Sequence, residues 1–115
     1  MFVMTAETLK IEVSCPATQE IPDGSTIELQ LWAGNEHASY GMIDVEISEA
    51  AVNSPVTFEV PVNMQELQSE DGTTRWDYFH TSPRLVHGGF IKNIAYAEKI
   101  SVDEAMASGW KMSLR

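Results

Sequence analysis

Four stretches of this chain alternate apolar and polar residues with period two, and that pattern fixes its fold class. Leu9, Ile11 and Val13 alternate with Lys10 and Glu12. Ile27, Leu29 and Leu31 alternate with Glu28 and Gln30, and Ile43, Val45 and Ile47 with Asp44 and Glu46. Val56, Phe58, Val60 and Val62 form the fourth apolar row. Side chains of a strand point to opposite faces in turn, so each stretch reads as a strand with one buried face. Pro61 falls on the polar side of the fourth strand and lacks an N–H, which predicts an edge position or an irregularity there.

The punctuation between the strands is that of turns. Pro16 ends the first strand, Ile21–Ser25 carries a Pro-Asp-Gly turn, and Asn53-Ser54-Pro55 precedes the fourth strand. Residues 33–40 and 68–74 read as polar loops, and Asn63 with Glu66 fits a cap for one helical turn through Leu67. Trp76 to His80 resumes a strand that Pro83 interrupts or ends. His87-Gly88-Gly89 reads as a hairpin turn. Phe90 to Ile100 is a longer strand, less cleanly alternating, as expected where both faces are buried for part of its length.

Ser101 and Glu104 form a capping box, and Gly109 suits a helix end. A short helix is therefore expected within 101–109, with Trp110 and Met112 docking the tail on the domain. Residues 1–7 read as a loose N-terminal end. Short connections favour antiparallel neighbours, because parallel pairs need longer crossovers. The predicted fold is a single domain spanning residues 1–115. It is an antiparallel β-sandwich or open barrel of about six to seven strands with a short C-terminal helix.

Charge narrows the partners. Seven Lys and Arg stand against 17 Asp and Glu, for a net charge of −10. Affinity for a phosphate backbone comes from cationic side chains, so nucleic acid is excluded as a partner, and anionic lipid is disfavoured for the same reason. The acidity keeps the chain soluble or meets a basic partner. Cys15 is the one cysteine, so no intrachain disulfide forms. The residues before it alternate with charge and make no hydrophobic signal segment. No apolar run reaches the length of a membrane span. As it stands the chain reads as cytoplasmic, or as a bacterial envelope protein if a signal segment has been removed from it.

No pattern of catalytic residues emerges. His37, His80 and His87 show no metal-ligand spacing, Cys15 has no C-x-x-C partner, and neither a cofactor nor a metal is expected. Ser39 and Ser82 lie outside any nucleophile elbow. Asp44 with Glu46 and Glu70 with Asp71 read as solvated surface, whereas acid–base catalysis calls for a carboxyl with a raised pKa. Gly88-Gly89 is too short to cradle a phosphate and reads as a turn.

The aromatic residues carry more weight. Trp32, Tyr40, Trp76, Tyr78 and Phe79 are the candidate binding surface, since the stretch Trp76–Phe79 puts rings on both faces of one strand. Core and edge cover are the structural alternative for the same rings. The edge strand Val56–Val62 is a candidate for accepting an extended protein segment. A rival reading places His37, Tyr40, His80 and His87 around one ligand-binding or catalytic pocket. A third makes the chain an oligomer that buries its aromatic residues between copies.

Three segments together resemble a known family. They are IPDGSTIELQLW from Ile21, SPVTFEVPVNMQEL from Ser54 and GGFIKNIAYAEKIS from Gly88. In this order they resemble the YscW/YbaY-like family of small lipoproteins and type III secretion pilotins. The matching positions are Pro22, Gly24, Leu29 and Leu31; Pro55, Phe58 and Val60; Gly89, Phe90, Ala95 and Tyr96. The resemblance implies a small β-sandwich and non-enzymatic work at the bacterial envelope, binding or chaperoning another protein. It brings no catalytic residues. The signal segment and lipidation cysteine of the family's lipoprotein members have no counterpart in these residues.

Overall fold

The computed structural model describes residues 6–16, 19–35, 45–50, 55–63, 67, 76–95 and 98–115. The elements in chain order are β1 (Ala6–Ser14), β2 (Thr26–Gly34), β3 (Val45–Ala50), β4 (Val56–Asn63), β5 (Tyr78–Thr81), β6 (Arg84–His87), β7 (Phe90–Ile94), β8 (Glu98–Ser101), α1 (Val102–Ser108) and β9 (Trp110–Ser113). They form two sheets that face each other across one core, the predicted sandwich, without closing into a barrel. Ala33 and Gly34, expected to open a loop, instead extend β2, because Ala33 still packs into the core and both pair with β5. Residues 36–40 of that loop, the loop expected at 68–74, residues 64–66 of the turn expected through Leu67, and the first three residues of the strand expected from Met42 lie outside the described residues.

The first sheet has the order β4-β1-β9. β1 and β4 pair antiparallel with Leu9 opposite Val60, Ile11 opposite Phe58 and Val13 opposite Val56. The register is dictated by chemistry: a slip of one residue would turn every apolar side chain of β1 to solvent. Ala6 and Glu7 pair with Asn63 and Val62, so β1 reaches into the stretch read as a loose end. β9 joins the other side of β1 in parallel, Ile11 beside Trp110 and Val13 beside Met112. This parallel pair departs from the antiparallel rule because α1 carries the chain across from the second sheet before β9 begins.

In the second sheet β2 is central. β3 pairs along one side of it, and β5 and β6 share the other. Trp32 faces His80 and Gly34 faces Tyr78, while Thr26 faces Val86 and Glu28 faces Arg84, all in one continuous register. The segment 78–87 thus runs as a single strand along β2. The ladder along β2 has a gap at Ser82 and Pro83 without a shift in pairing. Pro83 turns its carbonyl away from β2, where it accepts from the Ala95 N–H at 2.9 Å. The Gln30 carbonyl beside this gap accepts a hydrogen bond from the buried Thr81 hydroxyl at 2.5 Å. The expected long strand 90–100 follows the same path outside, as β7 against β6 and β8 against β5. Splitting at Pro83 and between β7 and β8, with the addition of β9, accounts for the strands beyond the predicted number.

The core combines both sheets: Leu9, Ile11 and Val13, the four apolar residues of β4, Ile27, Leu29 and Leu31 of β2, Phe79, Leu85, Trp110 and Met112. Burying each such side chain is worth roughly 1.5–3 kcal/mol. The helix starts as predicted, with the Ser101 hydroxyl accepting from the Glu104 N–H at 3.2 Å. It buries Val102 and Ala105. Gly109 ends it at φ +75°, and a Cβ there would stand 3.3 Å from the Lys10 carbonyl oxygen. Beyond β9, the Leu114 N–H donates to the Ser14 carbonyl, and Arg115 and Ile94 exchange main-chain hydrogen bonds of 3.0 and 3.4 Å. The tail therefore ties the first sheet to the edge of the second.

Candidate functional site

The predicted aromatic surface is divided by the fold. Trp32, His80 and Lys99 lie side by side on β2, β5 and β8 and share the outer face of the second sheet. The Trp32 and His80 rings stack at 5.4 Å between centroids, 17° from parallel. Tyr78 leans on His80 at 6.0 Å, donates its hydroxyl to the Asn35 carbonyl at 3.0 Å and carries the Lys99 ammonium 3.9 Å from its ring centroid. One face of the Trp32 ring and one of the Tyr78 ring are thus engaged within the molecule. Phe79 has inward parity on the same strand and is 0% exposed. It leaves the surface set and belongs to the core. Trp76 precedes β5, packs half-buried against the core and donates its main-chain N–H to the Leu67 carbonyl at 2.8 Å. Tyr40 lies outside the described residues.

His80 and His87 do not converge. His80 points outward in mid-strand, whereas His87 has inward parity and sits at the far end of the same continuous strand. Seven residues of extended chain separate them, about 23 Å. Acid–base groups must meet directly or through one water, so these two cannot share a pocket. His37 lies outside the described residues. Among the described residues no three His, Cys, Asp or Glu side chains are grouped to hold a metal. Cys15 is packed half-buried at the rim of the core.

A groove of about 550 Å³ crosses the outer face of β1 beneath the C-terminal half of α1. Its charged side chains are Lys10, Glu12 and Lys111. The register sets Lys10 opposite Glu59 and Glu12 opposite Lys111, so opposite charges already face one another across the strands.

The sheet edges differ in a way that matters more. β4 ends the first sheet, where Pro61 was expected to sit. Thr57, Glu59 and Pro61 are its exposed side chains. A charge and a proline are the devices by which edge strands avoid pairing. β7 ends the second sheet and has neither proline nor acid. Gly88 and Gly89 turn the β6–β7 hairpin at φ +59° and +80°, as a type I′ turn requires. Directly after the turn, Phe90 is 69% and Ile91 59% exposed, the large apolar side chains standing in solvent among the described residues.

Register explains why both are out. Ile91 sits opposite Val86 on the outer face, while Phe90, opposite His87, has inward parity but lies past the end of the core. A bulge follows, Lys92 being the extra residue between the pairs Val86–Ile91 and Leu85–Asn93. Lys92 holds its ammonium 5.8 Å from the Phe90 ring centroid. Sequence reading missed this pair. The available signal was two large apolar neighbours after a two-residue turn, which a period-two strand cannot both turn inward.

No protein-family model matches the chain, and no curated protein matches it significantly in sequence. Among solved structures it is similar to an alternative pilotin from the type II secretion system of Vibrio cholerae. The TM-score is 0.66 at 11% sequence identity, covering 96% of this chain and 94% of that one. The YscW/YbaY-like resemblance rests on the sequence motifs alone; the likeness of the two structures, which runs nearly end to end, gives this chain a pilotin-like fold.

Proposed function

We propose that this chain is a non-catalytic protein-binding module of the bacterial envelope, a pilotin-like chaperone that holds another protein through the tip of its β6–β7 hairpin. The observation that carries the reading is the exposed pair Phe90–Ile91. Covering such side chains is worth roughly 1.5–3 kcal/mol each before the costs of association. The pilotin-like fold supports a protein as the partner, and the net charge of −10 disfavours nucleic acid.

The test is titration calorimetry of the chain, and of a Phe90→Ser, Ile91→Ser double variant, against the protein components of the type II secretion system of its host. One component should bind saturably, and the double variant should bind it at least about tenfold more weakly, the equivalent of 1.4 kcal/mol. Its far-UV spectrum should stay unchanged. Equal binding by the double variant rejects the hairpin tip. Saturable binding by none of the components rejects the reading.

A further inference from the structure

Resting on that protein-binding reading, we propose that β7 takes its partner by strand addition. An extended, apolar segment bearing a carboxylate would bond to the main chain of Ile91 and cover Phe90. His87 and Phe90 flank a two-residue turn and so pair with each other. The next pair, Val86–Ile91, is then of the kind that makes no cross-strand bonds, which directs the N–H and C=O of Ile91 away from β6. Ile94 shows the edge in use. Its outward N–H donates to the Arg115 carbonyl at 3.4 Å, and its carbonyl accepts from the Arg115 N–H at 3.0 Å. Arg115 thus occupies the edge at Ile94, three residues along the strand from Ile91. Among the described residues nothing bonds to the outward groups of Ile91.

Charge selects the occupant. Lys92 and Arg115, two of the seven basic residues of the chain, are both exposed and bracket this edge. A carboxylate on the incoming segment meets them, whereas a lysine does not. A second copy of the chain brings another net charge of −10 and is repelled at low salt. The main-chain bonds supply affinity, and the Phe90 and Ile91 side chains supply preference for apolar residues, as strand addition does elsewhere.

The probes are capped ten-residue peptides of alternating valine and threonine with either glutamate or lysine at the centre. A third is the glutamate peptide N-methylated at alternate residues, so that its bonding edge is blocked. Amide NMR spectra of the labelled full chain are followed during titration. The glutamate peptide should shift the Ile91 and Lys92 amides and slow hydrogen exchange at Ile91. The lysine peptide should bind about threefold more weakly, and the same loss should follow Lys92→Glu with the glutamate peptide. Both N-methylation and Ile91→Pro should weaken binding about tenfold, the cost of lost main-chain hydrogen bonds. The N-methylated peptide gives this readout even if Ile91→Pro does not fold.

Absence of binding by the glutamate peptide, shifts confined to β4 or to the α1 groove, or equal binding of the N-methylated peptide would overturn strand addition. Shifts that grow with protein concentration alone would give the edge to a second copy and also overturn it. The protein-binding reading survives any of these results if the calorimetric partner is still lost in the Phe90→Ser, Ile91→Ser variant.

Discussion

At Thr81 a single hydroxyl carries work that its neighbours cannot. Beside the break at Ser82 and Pro83, the Gln30 carbonyl accepts the buried Thr81 hydroxyl. Replacing Thr81 with Val keeps the shape and removes the donor. We expect a loss of about 1–3 kcal/mol in urea denaturation, while Thr81→Ser should keep most of the stability. Gly109 poses the converse problem, where adding one atom is the fault. At φ +75° a side chain is strained, and its Cβ would press on the Lys10 carbonyl. Gly109→Ala should cost on the order of 1–2 kcal/mol, read as a lower thermal midpoint. Only one of these two roles was legible in sequence. The helix-ending glycine was, because its context is local; the Thr81 bond depends on a strand that only the fold brings alongside.

At the scale of elements, alternation revealed what it physically encodes. β1, β2 and β4 bury the residues whose periodicity named them, and the capping box placed α1 within a residue of its observed start. Ser101→Ala should therefore lower stability by about 1 kcal/mol in the same urea assay. The stretch 76–100 was harder to read. Its strands are interrupted at Pro83 and shifted by the Lys92 bulge, and a bulge changes which face every following residue takes. Of the candidate surface, Phe79 is buried, as parity along its strand requires. Trp32 and Tyr78 are half-exposed, with His80 stacked on Trp32 and Lys99 over Tyr78. The exposure of Phe90 depends on how far the hairpin outruns the core, and residue types alone do not contain that length.

At the scale of the molecule, an acidic sandwich carries a small apolar and basic corner, where Phe90, Ile91, Lys92 and Arg115 are exposed. Self-repulsion at a net charge of −10 should weaken the fold at low ionic strength. We expect the thermal midpoint to rise on going from about 0.02 to 0.3 M sodium chloride, as screening shortens the reach of like charges. A fall would mean that favourable ion pairs outweigh the repulsion. The Glu28–Arg84 pair, at 3.4 Å and partly exposed on both sides, is of a kind that contributes about 0–1 kcal/mol and does not reverse that expectation.

The place of β9 bears on how the protein is made. β1 needs two neighbours, and one of them, β9, is synthesised after every other described strand. Trp110, Met112 and Leu114 are all core residues, so a nascent chain halted before residue 110 holds a first strand with one side open and a core short of three side chains. The emerging chain must wait for β9, and the first sheet is completed only after synthesis has passed that point. Until then β1 offers apolar side chains and open main-chain groups to any chaperone waiting at the tunnel exit.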